Sequence, residues 1–411
     1  MMWKTFNTIF LVLASFGCFG QQPYVLLVSF DGFRHNYVEQ FDLPNFKAFE
    51  KKGARTESLI PSFPSKTFPN HYTIVTGLYP GNHGLIDNSF YDRERNVTYS
   101  MGNRKLVTDP YFYGGTPLWT LVQQHGMKSA SYFWVGSEIP LDGYHPDYYY
   151  AYDGTVPFES RIEKVTEWLK LPPTERPHFI TLYFSSPDHE GHEYGPTSPE
   201  TKAAAQRMDG LLKLLMDSLN DLTFPVNVFL VSDHGMKELT LDNNTFVFLD
   251  EIMDVNDKSI KVVSSGTQAH LYIDNPSRRD SIYANLSQKQ NHFVVLKKEQ
   301  YDPKWHYDHP GRVGDLMIMA EPGYYIREKG RKTFLTKERI GSKMGVHGYD
   351  PLIESDVHGI FYAQGPNIKE GITIPSFQNI HIYPLIAKIL GMEPPKGIDG
   401  KAEVLDPIYK K

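Results

Sequence analysis

The sequence predicts an α/β domain with a doubly wound, mostly parallel central sheet. Apolar runs of strand length recur along the chain, and polar turns follow them. An uninterrupted apolar run indicates a strand that is covered on both faces, as strands in parallel sheets usually are. Helical patterns separate the runs, and this alternation of strand and helix is typical of the doubly wound architecture.

The predicted strands can be located by their sequences. Each of the first three runs leads into a turn that contains an aspartate, and a fourth run lies near the end of the chain. A closing helix is predicted after them in FQNIHIYPLIAKILG, residues 377–391. The four predicted strands are YVLLVSF (24–30), HFITLYFS (178–185), VNVFLVS (226–232) and GIFYAQGP (359–366).

The stretch SPETKAAAQRMDGLLKLLMDSLN, residues 198–220, predicts a long helix between the second and third strands. Ser198 and Pro199 are typical of a helix start, because serine caps the first turn and proline fits its first position. The apolar side chains of this stretch fall on one helical face, which we expect to pack on the sheet. They belong to Ala204, Met208, Leu211, Leu212, Leu215 and Leu219.

The N-terminus reads as a secretory signal peptide over residues 1–20. Lys4 precedes an apolar run, and small residues precede a cleavage point after Gly20. We therefore expect a secreted or periplasmic protein. Cleavage is favoured over attachment of a lipid at Cys18, because Ser15 does not fit the lipoprotein pattern.

The remainder, residues 21–411, is expected to form a single catalytic domain, because no linker and no repeat divides it. Residues 241–310 read approximately as an irregular insert. Cys18 is the only cysteine, so after cleavage the stability must come from a packed core and from metal rather than from disulfides. The formal net charge of −6 and the absence of a basic stripe argue against a nucleic-acid partner.

Acidic and histidine side chains follow three of the predicted strands. In a doubly wound sheet the ligand crevice lies at the carboxyl ends of the strands, so we expect these side chains to meet there. Mixed nitrogen and oxygen donors suit two ions such as Zn²⁺ or Mn²⁺ better than an all-oxygen Ca²⁺ site. The candidate ligands are Asp31, Asp188, His192, Asp233, His234 and His347.

Each candidate also has an ordinary interpretation. An aspartate before a glycine, such as Asp31, often does no more than form a turn. The joint occurrence of such residues at three strand ends favours the metal site. The other histidines, including His35, His71, His83, His189 and His306, are expected to be hydrogen-bonded or surface residues.

Thr67 lies in SFPSKTFPNHYTIVTG, residues 62–77, two residues before Pro69 and near a predicted helix start. At a helix N-terminus the partial positive charge favours a phosphate or an alkoxide. Thr67 could act only as a helix cap. Beside candidate metal ligands, however, a nucleophile whose pKa is lowered by a metal is the favoured interpretation.

These residues lie in motifs that resemble the nucleotide pyrophosphatase/phosphodiesterase family of the alkaline phosphatase superfamily. The motifs occur in the order of the family and run from about residue 24 to residue 366. No single motif is decisive, but the ordered set is specific. The matching stretches are SFDGFR, PSFPSKTFPNHYTIVTGLYPGNHGLIDNSFYD, GGTPLWTLVQQHG, YFWVGSE, GTVPFESRI, YFSSPDHEGHEYGP, LVSDHGM, GVHGYDP and FYAQGP.

The resemblance implies a two-zinc hydrolase in which Thr67 is the nucleophile. It also implies that Asn88 donates a hydrogen bond to a non-bridging phosphate oxygen. Phe68 and Tyr152 would sandwich the base of a nucleotide. One zinc ion is implied at Asp31, Thr67, Asp233 and His234, and the other at Asp188, His192 and His347.

The implied reaction hydrolyses nucleotide phosphoanhydrides and phosphodiesters to nucleoside 5′-monophosphates through a covalent threonine intermediate. The stretch VGSEIPLDGYHPDYYYAYDGTVPFESR favours a nucleotide pocket, because lysophospholipid-cleaving relatives lack it. Phosphocholine-type lipids and phosphate monoesters are alternative substrates. A monoesterase would need a basic residue beside Thr67, and Lys66 is expected to point away. A nucleotide-binding module without turnover is disfavoured, because every implied position is filled.

Overall fold

The computed structural model of the protein describes residues 22–411. The predicted signal peptide at residues 1–20 and Cys18 lie outside these residues. The described chain is organised around an eight-stranded central sheet. From one edge to the other, its strands are Ile372–Ile374, Ala54–Thr56, Phe361–Gln364, Asn227–Val231, Val25–Phe30, Phe179–Phe184, Ser129–Tyr132 and Tyr148–Tyr149.

The central sheet is mostly parallel, as predicted. Phe361–Gln364 runs antiparallel to both of its neighbours, and the other seven strands share one direction. The strand Val25–Phe30 lies in the middle, paired on one side with Phe179–Phe184 and on the other with Asn227–Val231. The four predicted strands are therefore confirmed, and the three that lead into acidic turns are direct neighbours.

Both faces of the sheet are covered, which explains the continuous apolar runs. Val25 and Leu27 belong to one buried cluster, and Leu26 and Val28 belong to another. Successive side chains of a strand point to opposite faces, so each cluster lies on its own side of the sheet. The apolar face predicted for residues 198–220 is buried, as expected.

The helices surround the sheet, and the long predicted helix is confirmed as Pro199–Asn220. The closing helix begins later than predicted, at Ile382, because Phe377–Gln378 pairs as a strand with Leu59–Ile60. The α-helices are Tyr37–Gln40, Pro44–Lys51, Thr67–Thr76, Pro80–His83, Arg104–Val107, Leu118–Gln124, Phe158–Leu169, Asp188–Tyr194, Pro199–Asn220, Leu249–Ile252, Pro276–Ser287, Arg331–Phe334 and Ile382–Ile389. Among the described residues, none of them is both long enough and apolar enough to cross a bilayer.

A second, smaller sheet occupies the region that the sequence analysis interprets as irregular. Its four strands are antiparallel and have a buried cluster of their own. It extends to Ala320, beyond the expected limit of residue 310, because its last strand pairs with two strands of that region. In sheet order the strands are Lys261–Ser264, Gln268–Tyr272, Leu316–Ala320 and Phe293–Lys297.

The remaining strands form short two-stranded pairs around these sheets. Two of the pairs hold chain segments that contribute residues to the candidate functional site. The pairs are Leu59–Ile60 with Phe377–Gln378, Ser89–Asp92 with Val97–Ser100, Lys237–Thr240 with Lys343–Val346, and Phe246–Phe248 with Tyr325–Arg327.

His83, the last residue of the helix Pro80–His83, links the helix Thr67–Thr76 to the residues that follow Pro80–His83. Its Nδ1 accepts a hydrogen bond from the Leu85 N–H, at 3.2 Å, and its Nε2 lies 3.0 Å from the Thr73 hydroxyl oxygen. Because Nδ1 accepts a hydrogen bond, the ring is neutral. Burial lowers the pKa of His83 from 6.5 to about 3.

We predict that the stabilising effect of His83 depends on pH. Below pH 6.5 the unfolded chain protonates this histidine but the folded chain does not, so its contribution is lost as the pH falls. The destabilisation caused by His83→Gln should therefore be largest at pH 7.5 and shrink below pH 6.5 by up to about 1.4 kcal/mol per pH unit. Urea unfolding of both proteins from pH 7.5 to 5 measures this difference. A difference that stays constant over that range would contradict the prediction.

Candidate metal and nucleophile site

Three aspartates meet at the carboxyl ends of the three central strands. Asp31 directly follows Phe30, and the backbone N–H of Asp188 donates to the Asp31 carbonyl at 3.1 Å. The backbone N–H of Gly32 donates to Asp233 Oδ1 at 3.2 Å. Gly32 has a φ of +66°, and a Cβ there would lie 2.7 Å from the Asp188 Cβ. Glycine is therefore required at position 32 by the close approach of Asp188, beyond its role in a turn.

Asp188, His192 and His347 form the first cluster of possible metal ligands. Asp188 and His192 lie four residues apart in the helix Asp188–Tyr194, so they share a face. His347 follows the strand Lys343–Val346 and brings its Nε2 to 3.2 Å from His192 Nε2. Asp188 Oδ1 lies 3.5 Å from His192 Nε2 and 3.9 Å from His347 Nε2. These three atoms leave room for one shared ion.

Thr67, His234, Asp233 and Asp31 converge beside the first cluster. The Thr67 hydroxyl oxygen lies 3.2 Å from His234 Nε2. The same nitrogen lies 3.0 Å from Asp233 Oδ2 and 3.7 Å from Asp31 Oδ1. The rings of His234 and His347 stack with centroids 3.6 Å apart, so the two groups of ligands are adjacent.

Thr67 does not cap its helix. The helix is Thr67–Thr76, and its N-cap position is occupied by Lys66, so Thr67 is the first helical residue. Its hydroxyl is therefore available to the cluster, and it lines a cavity rather than satisfying a backbone N–H. This arrangement removes the alternative in which Thr67 serves only as a cap.

Backbone carbonyls orient the three candidate histidine ligands. A carbonyl only accepts hydrogen bonds, so each Nδ1 carries the proton and each Nε2 presents a lone pair to the cluster. His192 Nδ1 donates to Gly345 at 2.7 Å, His234 Nδ1 to Gly235 at 2.9 Å, and His347 Nδ1 to Ser65 at 2.8 Å.

The electrostatics of the site favour bound cations. Burial, together with the charges of Asp233 and Asp188, raises the pKa of Asp31 well above its usual value. Burial, together with the neighbouring His234, holds the pKa of His347 well below its usual value. Among the described residues, no hydrogen-bond donor reaches Asp31 Oδ1, Asp188 Oδ1 or Asp233 Oδ2. Unpartnered carboxylate oxygens and imidazole lone pairs that face one another are the donor set that a metal ion satisfies.

Two side chains that sequence reasoning did not assign to the site support it, the half-buried Tyr183 and the buried His71. The Tyr183 hydroxyl donates to Asp31 Oδ2 at 2.7 Å. His71 Nδ1 donates to the Thr67 carbonyl at 3.0 Å and lies 3.4 Å from Asp233 Oδ2, while its Nε2 lies 2.8 Å from the Ser29 hydroxyl. His71 is thus hydrogen-bonded, as expected, but it also fixes the start of the Thr67 helix. The sequence feature that could have indicated this role of Tyr183 is its polar hydroxyl, near the end of an otherwise apolar strand.

Asn88 is anchored with its amide group free. Its Oδ1 accepts a hydrogen bond from the Phe68 N–H at 2.9 Å, which assigns the oxygen and leaves the NH₂ group to donate. Because Phe68 directly follows Thr67, this bond ties Asn88 to the candidate nucleophile.

Phe68 and Tyr152 line one cavity of about 450 Å³, which also contains Thr67. Tyr152 is 45% exposed, and its ring meets that of Phe133 edge-on with centroids 5.1 Å apart. The structure therefore brings both predicted stacking residues to the cavity beside Thr67. Arg104 lines the same cavity and is paired with Glu138.

This fold and site define an α/β domain with acid and histidine clusters that could hold metal ions. The chain belongs to the type I phosphodiesterase / nucleotide pyrophosphatase family, whose family model matches residues 25–350. The fold and family that the sequence predicts are thereby confirmed.

Individual relatives agree with this assignment. The chain is 37% identical over 386 residues to human ectonucleotide pyrophosphatase/phosphodiesterase family member 1. The matched region covers 91% of this chain and 40% of the human protein. The chain is also 34% identical over 389 residues to a venom phosphodiesterase of Macrovipera lebetinus, covering 92% of this chain and 44% of that protein. The chain thus spans less than half the length of these curated relatives.

Solved structures match over nearly the whole chain. Murine ectonucleotide pyrophosphatase/phosphodiesterase 5 is 29% identical, with a TM-score of 0.85, covering 94% of this chain and 100% of that one. An inactive form of the same murine protein, with a threonine replaced by alanine and in complex with AMP, matches with a TM-score of 0.86, 29% identity and the same coverage.

We predict that Asp31→Asn separates metal binding from folding. In a chelator the variant should be at least as heat-stable as the wild type, because the substitution removes one of three adjacent carboxylates that repel one another. Added Zn²⁺, used as the test ion at about 100 times its Kd, should stabilise the wild type by about 2.7 kcal/mol and the variant far less. Thermal unfolding of both proteins with and without the ion measures this.

Asp221→Asn, at an exposed helix end, is the matched control and should respond to Zn²⁺ as the wild type does. Equal stabilisation of Asp31→Asn and the wild type would contradict a metal site at Asp31.

Proposed function

We propose that this chain is a secreted two-zinc nucleotide pyrophosphatase/phosphodiesterase that forms nucleoside 5′-monophosphates through a covalent intermediate on Thr67. One observation carries the proposal. The Thr67 hydroxyl lies 3.2 Å from His234 Nε2, beside the carboxylate and histidine clusters, and opens into the cavity lined by Phe68 and Tyr152. A nucleophile, candidate metal ligands and a base-stacking pair therefore share one site.

The residues present fit two zinc ions, because the site combines unpartnered carboxylate oxygens with imidazole nitrogens whose lone pairs face inward. Bound zinc would supply Lewis-acid polarisation of the phosphoryl oxygens and would lower the pKa of a coordinated hydroxyl. We assign one ion to Asp31, Thr67, Asp233 and His234, and the other to Asp188, His192 and His347.

The proposed reaction has two steps. The Thr67 oxygen attacks the α-phosphorus of a nucleotide and releases its proton to solvent, while the phosphorus–oxygen bond to the leaving group breaks and its electron pair departs with that group. Water then attacks the same phosphorus. The bond to Thr67 breaks, a proton from water returns to the threonine oxygen, and the nucleoside 5′-monophosphate is released.

Asn88 and His71 prepare this chemistry. The free NH₂ group of Asn88 can donate to a non-bridging phosphate oxygen, where negative charge accumulates in the transition state. His71 holds the Thr67 carbonyl, so the first helical turn and its hydroxyl keep their orientation. Phe68 and Tyr152 would hold the base by stacking. This contact tolerates any base, because every nucleobase has a π-face.

Two features of related proteins support the proposal, one for the nucleotide substrate and the role of Thr67 and the other for secretion. The inactive form of the murine relative has a threonine replaced by alanine and is in complex with AMP. Relatives also include phosphodiesterases of venom, a secreted fluid, which fits the signal peptide expected at residues 1–20.

The monoesterase and phosphocholine-lipid alternatives are less well supported. A phosphate monoester carries an additional negative charge, and a monoesterase needs a cation beside the nucleophile. The Lys66 amine instead donates to the carbonyls of Ser265 and His347, at 2.7 and 2.9 Å, outside the cavity that contains Thr67. Arg104, which does line that cavity, is paired with Glu138.

We predict that residues 21–411, supplied with Zn²⁺ and ATP, release AMP and pyrophosphate, and that Thr67→Ala abolishes this turnover. The substitution removes the nucleophilic oxygen, so the rate should fall by about 10³-fold or more while zinc binding persists. Chromatography of the products, with a chelated control, makes the measurement.

Thr76→Ala, at the other end of the same helix, is the matched control and should retain activity. ADP and phosphate as products would favour a monoesterase, and Thr67→Ala with most of its activity would show that the nucleophile assignment is wrong.

A further inference from the structure

A second cavity, of about 550 Å³, borders the site and adjoins the Phe68 cavity. His192 and Met101 line both cavities, so the two meet at the first metal-ligand cluster. His347 and Asn88 also line the second cavity, whereas Thr67 lines only the first. A substrate that spans the clusters can therefore extend into both.

The outer wall of the second cavity is held firmly in place. It is formed by the short strand Tyr325–Arg327, which pairs with Phe246–Phe248. The N–H of Ile326 donates to the Gly266 carbonyl at 2.6 Å. A Cβ on Gly266 would lie 1.9 Å from the Tyr325 ring, so only glycine permits this contact. Ile326 is buried in the apolar cluster of the small sheet, and Tyr325, Ile326 and Arg327 all line the cavity.

The cavity carries an excess of positive charge. Lys66, Arg327 and Lys329 line it, against the single carboxylate of Glu328. Within residues 22–411, no ion pair is found for any of these three cations, whereas nearby Lys343 is paired with Glu238. Arg327 rests on the Phe334 ring, 3.8 Å from its centroid, so its guanidinium edge stays available for hydrogen bonds.

The direction of the reaction connects this cavity to the leaving group. In an in-line displacement the attacking and leaving oxygens lie on opposite sides of the phosphorus. Thr67 attacks from the first cavity, so the leaving oxygen lies toward the cluster of His192 and His347, which borders the second. When the bond breaks, the leaving oxygen retains the electron pair and gains negative charge.

We propose that the second cavity binds the leaving group, that it selects leaving groups that carry phosphate, and that Arg327 is the principal residue for this selection. The inference rests on the proposed function. It assigns the nucleoside monophosphate part of the substrate to the Phe68 cavity, and the polyphosphate part to Lys66, Arg327 and Lys329. Nucleoside triphosphates are then better substrates than diesters with an uncharged leaving group of comparable reactivity.

The test compares two substrates that differ only in their leaving group, ATP and the 4-nitrophenyl ester of AMP. Arg327→Gln should lower kcat/KM for ATP about 10-fold, the effect of one lost charge-assisted hydrogen bond, and that for the nitrophenyl ester by at most about twofold. Arg339→Gln is the matched control, because Arg339 also lies over Phe334, at 4.3 Å, but does not line the cavity. It should change neither value.

A binding measurement separates recognition from turnover. In zinc-loaded Thr67→Ala, calorimetry should show tighter binding of ATP than of AMP, and the addition of Arg327→Gln should remove that difference while leaving the affinity for AMP intact. Equal losses on both substrates, or no loss on ATP, would overturn the assignment of Arg327. A wild type that produces AMP from neither substrate would instead overturn the proposed function.

Discussion

Repulsion between closely spaced carboxylates is the constraint on which the rest of this site depends. Asp31 and Asp188 present oxygens within 4.8 Å of each other, and Asp233 joins them at the end of the next strand. At such a distance two unit charges repel by about 3 kcal/mol at an effective dielectric constant of 20. With no donor from the described residues on three of these oxygens, bound cations are the natural compensation. The fold maintains this unfavourable arrangement because the aspartates follow three strands in the centre of the sheet.

The surrounding residues orient the candidate ligands and line two cavities beside them. Three backbone carbonyls fix the tautomers of the histidines, and Tyr183 and His71 orient Asp31 and the Thr67 helix. The two cavities that border the site differ in the side chains that line them. The one beside Thr67 is lined by aromatic rings, whereas the one beyond His192 is lined by cations. An asymmetric substrate, apolar at one end and anionic at the other, fits this division.

Much of this arrangement could be predicted from local sequence. Continuous apolar runs mark buried strands, and a residue that follows such a run lies at a sheet edge, which is why Asp31 and Asp233 could be identified. Other features depend on contacts between distant segments. Lys66 is held by carbonyls 199 and 281 residues away, so neither its hydrogen-bond partners nor the second cavity has a local signal. The small sheet was missed because its last strand, Leu316–Ala320, pairs with partners that local patterns do not reveal.

The central claim is that two cations occupy adjacent positions around Thr67 and the histidines. Anomalous diffraction at the zinc absorption edge, from crystals of residues 21–411 grown with Zn²⁺, tests this claim most directly. The account predicts two peaks. One should lie about 2 Å from His234 Nε2 and the Thr67 hydroxyl oxygen, and the other about 2 Å from the Nε2 atoms of His192 and His347. A single peak, or peaks away from these atoms, would contradict it.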